Sequence, residues 1–585
     1  MAPFQHEHNW WKEGVVYQIY PKSFKDSNGD GVGDIPGIIS KLDYLKDLGI
    51  DIVWVSPHYK SPMIDNGYDI SDYEAIYEPF GTLADAEALI KAVHDRGMRL
   101  IFDLVINHTS SEHAWFKESR SSKTNPKRDW YIWRPARYDS KGKRCRPNNW
   151  RSNFSESAWT WDEQTQEYYL HLYASEQPDL NWENPETRRA IYASAMKFWL
   201  DKGIDGFRID TVNMYSKTPG LPDAPIMYPD HEIQPAFMYY ANGPRMHEFL
   251  DEMNDVFEPY DTFTVGETPY TPDEGTVLGY IVPSPKRPRL SVVFNFNVVD
   301  LGQTPGNRFD ERAFTKAHFK RELLRWHRVT QDTGAWNAVF LENHDQPRSV
   351  SKFASDAPEY RDLSAKMFAI VLATLSGTLF VYQGQEIGMI NAPKDWAREN
   401  YKCIKSVNHL AEIVARTNDD PAEMEKALGS LHRQARDHGR VPMQWTSDGK
   451  NGGFCDEGAE PWIPMLESHR DINVAGQVGR QDSVLEFWRR MLLLRKQFKD
   501  VFVYGCVQGF DSPFEDEAKA PLQFVKHGKN GMCSLTVANL TDTPVDWQWP
   551  GWVKDDGMVL LAGNYEKGLA KQLQPFEARV YVRAN

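Results

Sequence analysis

Arg208 and Asp210 stand two residues apart in GFRIDTVN (206–213), with Phe207 and Ile209 interleaved. On a strand, side chains alternate between faces, so the arginine and the aspartate share one face and the apolar residues the other. Buried charges are rarely unpaired. The pair is therefore either a structural ion pair or a catalytic carboxylate kept ionised by a guanidinium. Other apolar runs also end in polar clusters. DLVINH (103–108) ends in Asn107 and His108, TFTVGE (262–267) in Glu267, and NAVFLENHD (337–345) in His344 and Asp345. Asp210, Glu267 and Asp345 converging in one pocket would suit cleavage of a glycosidic bond. One carboxyl must be ionised to attack or stabilise an oxocarbenium-like centre, and another protonated to release the leaving oxygen. Arg208 favours the ionised form of Asp210. Glu267 has no arginine neighbour in sequence, and a carboxyl among carboxylates is expected to hold its proton.

Eight such runs recur, starting at Val15, Asp51, Arg99, Gly206, Thr262, Ser291, Asn337 and Gly377. Amphipathic stretches lie between many of them. Residues 35–49 place Ile38, Ile39, Leu42, Leu45 and Leu48 on one face, and the pattern predicts one helix closed by Gly49. The alternation predicts a (β/α)8 barrel with its polar groups on the C-terminal face. A doubly wound sheet is the alternative, but no GxGxxG follows an early strand. The uneven spacing assigns 1–107 and 178–500 to the barrel and 108–177 to a subdomain inserted after strand three. A second insertion falls at about 387–461 after strand eight, and 501–585 form an antiparallel β domain.

A net charge of -15 argues against nucleic acid or an anionic membrane as partner. No apolar run is long enough for a membrane span, and the first residues lack the features of a secretory leader. Five scattered cysteines without a CxxC fit free thiols in the cytoplasm. No cysteine or histidine cluster suggests a catalytic metal, and no organic cofactor is expected. His6, His8 and His94 are assigned no chemistry. The segment DSNGDGVGD (26–34) carries oxygens at Asp26, Asn28, Asp30 and Asp34, with a Val32 carbonyl and Gly31 at the turn. This follows the first nine positions of an EF-hand loop, but Gly37 replaces the twelfth-position glutamate. It reads as a structural Ca2+ or Mg2+ site, or as an Asx-rich turn capping a helix near Ile35.

DLVINH, GFRIDTVN, VGET and LENHDQPR resemble the four short motifs of the α-amylase superfamily of glycoside hydrolases. The resemblance runs from WWKEGVVYQIYPKSFKDSNGDGVGDIPGI through QPDLNWENP to RVPMQW, and is similar to the intracellular maltase and oligo-1,6-glucosidase branch. It implies Asp210 as nucleophile, Glu267 as acid/base and Asp345 as transition-state stabiliser. It matches His108 and His344 to the family's histidines and Arg208 to its nucleophile-flanking arginine. It places Asp65 and Arg436 on a terminal sugar, Tyr68 as a stacking floor with Tyr173 nearby, and calcium at the 26–34 loop. Taken alone, DNGYDI (65–70) reads as a loop and RDHGR (436–440) as a solvated helix face. The implied activity is a retaining, exo-acting α-glucosidase on maltose-like substrates. Threonine at 211 goes with α-1,4 preference in such enzymes, and valine with α-1,6. The alternatives are an oligo-1,6-glucosidase, or a sucrose isomerase or transglucosylase with the same triad. A transporter heavy chain would need an anchor and commonly lacks the carboxylates.

Overall fold

Eight parallel strands form one sheet: β1 (Val15–Ile19), β2 (Ile52–Val55), β3 (Arg99–Leu104), β4 (Gly206–Ile209), β5 (Phe263–Glu267), β6 (Val292–Phe294), β7 (Ala338–Val339) and β8 (Thr378–Tyr382). This computed structural model describes residues 10–154, 157–283, 288–508, 520–529, 531–550, 553, 557–565 and 571–583. His6 and His8 lie outside them. The strand order is β6-β5-β4-β3-β2-β1-β8-β7. Pairing of β1 with β8 carries the sheet round, and the ring stays open between β6 and β7, which do not hydrogen-bond among the described residues. The expected barrel is thus present, with one seam.

Alternation along the strands builds the interior in layers. Val16, Ile52, Ile101, Val265 and Phe294 pack inside, whereas Val15, Tyr17, Ile19, Val53 and Val55 join the core beneath the helices. Two residues beyond the inner apolar layer, the same face carries Gln18, Trp54, Asp103 and Glu267. Arg208 pairs in register with Asp103 on β3 and Val265 on β5, so it joins that polar layer. Gly206 permits the close approach of β4 to β5. Its φ is 142°, and a Cβ there would lie 1.9 Å from the carbonyl oxygen of Phe263.

The helix predicted over 35–49 is two helices, Ile35–Ile39 and Leu42–Leu48, joined through Ser40 and Lys41. Asp34 caps the first, and Ile39, its last residue, is only partly buried where it packs against the core. The segment after β3 contains a helix, Ala114–Ser121, and a three-stranded antiparallel sheet of Trp133–Arg134, Glu167–Leu170 and Trp159–Asp162. Its Trp150 and Leu172 share a small core with Met214, Ala236 and Tyr240 from the segment after β4. After β8, helices Ile404–Thr417 and Pro421–Gln434 precede a short turn of helix, Asp437–Arg440. The C-terminal sheet is antiparallel: β9 (Cys506–Gln508), β10 (Leu522–His527), β11 (Cys533–Ala538), β12 (Val559–Gly563) and β13 (Ala578–Arg583), in the order β9-β10-β11-β13-β12. All five cysteines are unpaired. No helix among the described residues is long and apolar enough to cross a membrane.

Candidate active site

The C-terminal ends of the strands open on a cavity of about 550 Å3. Asp65, Tyr68, His108, Tyr173, Asp210, Thr211, Glu267, Asp345 and Arg436 all line it. Arg208 and His344 do not. They lie behind the wall at 2% and 1% exposure and bond to residues that face the cavity, Arg208 to Asp210 and His344 to Tyr68.

Arg208 serves three carboxyls, not one. Its Nη1 donates to Asp210 Oδ1 at 2.6 Å and to Asp103 Oδ1 at 2.9 Å, and its Nη2 lies 2.7 Å from Glu267 Oε2. The isolation of Glu267 from arginine therefore holds only along the chain. One guanidinium cannot neutralise three carboxylates, so the cluster has to retain protons. Burial pushes Glu267 up to about 8 against the pull of Arg208, with Asp210 and Asp345 adding to the rise. Burial also raises Asp210, but Arg208 and a hydrogen bond with Glu267 oppose it. The proton accordingly resides on Glu267, and Asp210 is the ionised member of the pair.

Asp345 is held in the opposite sense. Burial would raise its carboxyl, but Arg436, Arg440 and Arg308 keep it well below the usual carboxylate range. Arg436 Nε and Nη2 each lie 2.6 Å from Asp345 Oδ1, and Arg440 Nη2 lies 2.9 Å from the same atom. Sequence reasoning missed Arg440, although two arginines four residues apart in RDHGR would share a face on one helical turn. That turn, Asp437–Arg440, is wholly buried rather than solvated.

His344 joins the two halves. Gln18 Nε2 donates to its Nδ1 at 2.8 Å, and its Nε2 meets the Tyr68 hydroxyl at 2.6 Å. Burial drives the imidazole pKa well down, so the ring is neutral and its proton sits on Nε2. The Tyr68 hydroxyl in turn donates to Asp103 Oδ2 at 3.2 Å, and its ring stacks on His344 at 5.2 Å. His108 Nε2 donates to the Tyr68 carbonyl at 3.0 Å, and the Tyr173 ring lies 5.1 Å from that imidazole. Asp65 takes Gln177 Nε2 on Oδ2 at 3.2 Å. Its Oδ1 is buried with no hydrogen bond, and Arg436 Nη1 stands 3.9 Å away.

Thr211 carries local strain. A β-branched residue seldom adopts a left-handed backbone, yet its φ and ψ are 37° and 44°. Such a conformation costs on the order of 1–3 kcal/mol and persists only where surroundings enforce it. It aims the Thr211 N–H at Glu267 Oε2 (3.1 Å) and its hydroxyl at Asp210 Oδ2 (3.3 Å). No sequence signal announced this turn.

The 26–34 loop lies outside the cavity lining. Asp26 accepts backbone N–H groups from Asn28, Gly29 and Gly31, and Asp34 accepts from Ser27 and Gly37. Asn28 accepts from Asp30 N, and Asp30 from Val32 N. Among the described residues no three Asp, Glu, His or Cys side chains converge to hold a metal ion. The acidic side chains thus shape the loop through its own backbone.

The model of the alpha-amylase catalytic domain family matches residues 18–505. This chain belongs to the α-amylase family. It is an enzyme, a glycoside hydrolase by family, and its carboxyl-lined cavity fits that chemistry. An α-glucosidase of Candida albicans is 50% identical, covering 98% of this chain and 99% of its own. An oligo-1,6-glucosidase of Parageobacillus thermoglucosidasius is 47% identical, covering 98% and 99%. Among solved α-amylase-type folds, a mutant isomaltulose synthase of Erwinia rhapontici in complex with sucrose is 34% identical. Its TM-score is 0.88, and the match covers 98% of this chain and 99% of that one.

Proposed function

We propose that this enzyme is a retaining, exo-acting α-glucosidase releasing glucose from the non-reducing end of short maltose-like α-glucosides. One observation carries the reading: Arg208 holds Asp210 on one terminal nitrogen and Glu267 on the other. Sharing one guanidinium favours the short separation of about 5–5.5 Å that retention needs, over the roughly 6.5–9.5 Å that lets an inverting enzyme seat a water. Glu267 protonates the glycosidic oxygen while Asp210 attacks the anomeric carbon. Glu267 then takes a proton from the water that releases glucose. A second sugar in place of that water gives transglucosylation. Asp345, kept ionised by its arginines, stabilises the positive charge at the transition state.

Exo action is supported by the inner end of the cavity. Asp65, Tyr68, His108 and Arg436 are all buried there. The unbonded Asp65 Oδ1 and its arginine offer an acceptor and donors to terminal hydroxyls. The test is glucose release from maltose, isomaltose, sucrose and trehalose, with the anomer followed by NMR. First appearance of β-glucose would sink retention, and products from internal cuts would sink exo action.

Linkage choice is assigned to Thr211, which borders the cavity beside the nucleophile. Threonine and valine have nearly the same shape, but valine removes a hydroxyl and adds apolar surface. Changes of this size shift discrimination about 10- to 200-fold. We expect maltose to be preferred over isomaltose, and Thr211→Val to raise the relative kcat/KM on isomaltose. A ratio unmoved by the substitution would place the determinant elsewhere. The second reading, sucrose isomerisation, is favoured only by the likeness to the sucrose-bound synthase. Isomaltulose formed from concentrated sucrose would support it.

A structural Ca2+ or Mg2+ at the 26–34 loop is part of the proposal, supported by its hard oxygen donors. A carboxylate that accepts backbone N–H groups still has lone pairs for an ion. To hold it, the Asp26, Asn28, Asp30 and Asp34 side chains would have to turn from the loop N–H groups they now accept and converge with the Val32 carbonyl. Chelation should then lower the melting temperature and leave the initial rate nearly unchanged, because the ion stabilises only the folded state. An unchanged melting temperature removes the ion from the account. Five unpaired cysteines support a cytoplasmic setting, which cell fractionation tests.

A further inference from the structure

On the glucosidase reading, the leaving sugar lies in the half of the cavity walled by Phe296, Asp300 and Arg308, with Phe237 and Tyr270 completing that wall. Tyr270 stands three residues after Glu267, and its backbone is strained. Its φ is 56°, a left-handed value that a bulky side chain seldom adopts. The residues on either side enforce it. Asn213 Nδ2, from the turn after β4, donates to the Pro269 carbonyl at 2.7 Å and to Thr271 Oγ1 at 2.9 Å. Asn242 Nδ2 donates to the same Thr271 hydroxyl at 3.0 Å. Upstream, the Thr268 hydroxyl donates to the Phe294 carbonyl at the end of β6, at 3.1 Å. With its neighbours pinned, Tyr270 projects from the loop. Its ring stacks on Phe237, with centroids 5.1 Å apart and planes 13° off parallel, and its hydroxyl donates to Asn153 Oδ1 at 2.6 Å. Asn153 belongs to the subdomain inserted after β3. Its backbone N–H and its Nδ2 both donate to the Leu172 carbonyl, at 2.8 and 3.0 Å, which leaves Oδ1 turned to Tyr270.

We propose that Tyr270 is a positioning residue for the acid/base, and that its bond to Asn153 fixes Glu267 relative to the leaving oxygen. The inference rests on the glucosidase reading and adds to it the part that sets protonation of the leaving group. Leu172 is followed by Tyr173, which lines the sugar-holding end of the cavity. The bond therefore joins the frame of the bound sugar to the loop that follows the acid. Those two segments leave β3 and β5, which do not pair with each other, so the sheet itself does not set their spacing. A general acid works only within hydrogen-bond reach of the oxygen it protonates, and small misplacements cost rate steeply. Stacking a leaving sugar would need only the ring of Tyr270. The strained backbone and the hydroxyl bond go further, because they tie the ring to a second segment of the cavity wall. Asp210, Asp345 and their arginines lie off this path, so attack and charge stabilisation do not depend on it.

The test compares kcat/KM on maltose with kcat/KM on a dinitrophenyl α-glucoside, whose phenolate leaves without a proton. Tyr270→Phe keeps the ring on Phe237 and loses only the bond. It should lower kcat/KM on maltose about tenfold, the worth of one hydrogen bond, and leave the dinitrophenyl substrate nearly unaffected. Asn153→Ala should do the same, and the double variant should lose no more than either single one. In a Glu267→Gln background Tyr270→Phe should cost nothing further on maltose, because no acid remains to be positioned. Equal losses on the two substrates overturn the proposal. So do losses that add in the double variant, or a further loss of the same size in the Glu267→Gln background, since each would make the bond a plain support of the fold. A parent enzyme that releases no glucose from maltose would instead remove the glucosidase reading. The same comparison, run on whichever of isomaltose, sucrose and trehalose the enzyme cleaves, would then decide the role of Tyr270.

Discussion

Asp210→Ala should lower kcat/KM on maltose by at least about 10⁴-fold while the protein still folds and binds glucose, because losing a nucleophile removes the covalent route altogether. Glu267→Gln should separate the substrates. On maltose, whose leaving sugar needs a proton, the loss should be about 10²- to 10⁴-fold, the usual worth of a general acid. On an aryl glucoside whose phenolate leaves unaided, kcat/KM should fall far less. The pH profile gives an independent readout. The productive form has Asp210 ionised and Glu267 protonated, so kcat/KM on maltose should rise as Asp210 loses its proton and decline as pH passes about 8, where Glu267 loses its own. Glu267→Gln should erase the alkaline decline. Equal losses on maltose and aryl glucoside would mean that Glu267 is not the acid.

Arg208→Ala should be the most destabilising single change in the site. Arg208 is 2% exposed and bonded to three buried carboxyls. Removing one partner of a buried ion pair typically costs about 3–5 kcal/mol. The sign with pH follows from burial. Without the guanidinium, carboxyls already raised by burial rise further above their unfolded values. Folding then favours their protonated forms, and stability is lost as pH climbs through those raised values. The gap in melting temperature between Arg208→Ala and the parent should therefore be small near pH 4 and widest on the alkaline side. Activity should fall at least about 100-fold, since Asp210 and Glu267 lose their common anchor. A variant with parental melting temperature at pH 8 would show that the three carboxyls are held by something else.

The eight strands, and the three carboxyls that meet at the cavity, were legible because each is written locally. An apolar run ending in Arg208–Ile209–Asp210, or in Val265–Gly266–Glu267, declares which side chains share a face. What stayed hidden depends on where distant segments meet. That Arg208 also serves Glu267 follows from β4 lying beside β5, and no local pattern carries it. Gln18 reads as a plain polar residue on β1 until β7 brings His344 against it. The strained Thr211 backbone is dictated by tertiary contacts that override a β-branched residue's preference. The helix at 35–49 misled for the opposite reason. Its apolar spacing is helical throughout, but the periodicity has no means of registering the turn at Ser40 and Lys41.

The seam in the barrel divides the site into parts of unequal stiffness. Asp65, Tyr68, His108, Asp210 and Glu267 follow or end strands joined without interruption from β2 to β5, so the sugar-holding end is fixed to continuously hydrogen-bonded backbone. Phe296, Asp300 and Arg308 descend from β6, the strand at the edge of the gap. A wall hung from an unstitched edge is remodelled without re-registering the other seven junctions. Drift in that wall is therefore insulated from Asp210 and Glu267, but not from Asp345, which follows β7 at the other edge of the gap and holds Arg308 on its carbonyl. This gives a mechanical route by which one barrel diversifies its substrates while Asp210 and Glu267 keep their places.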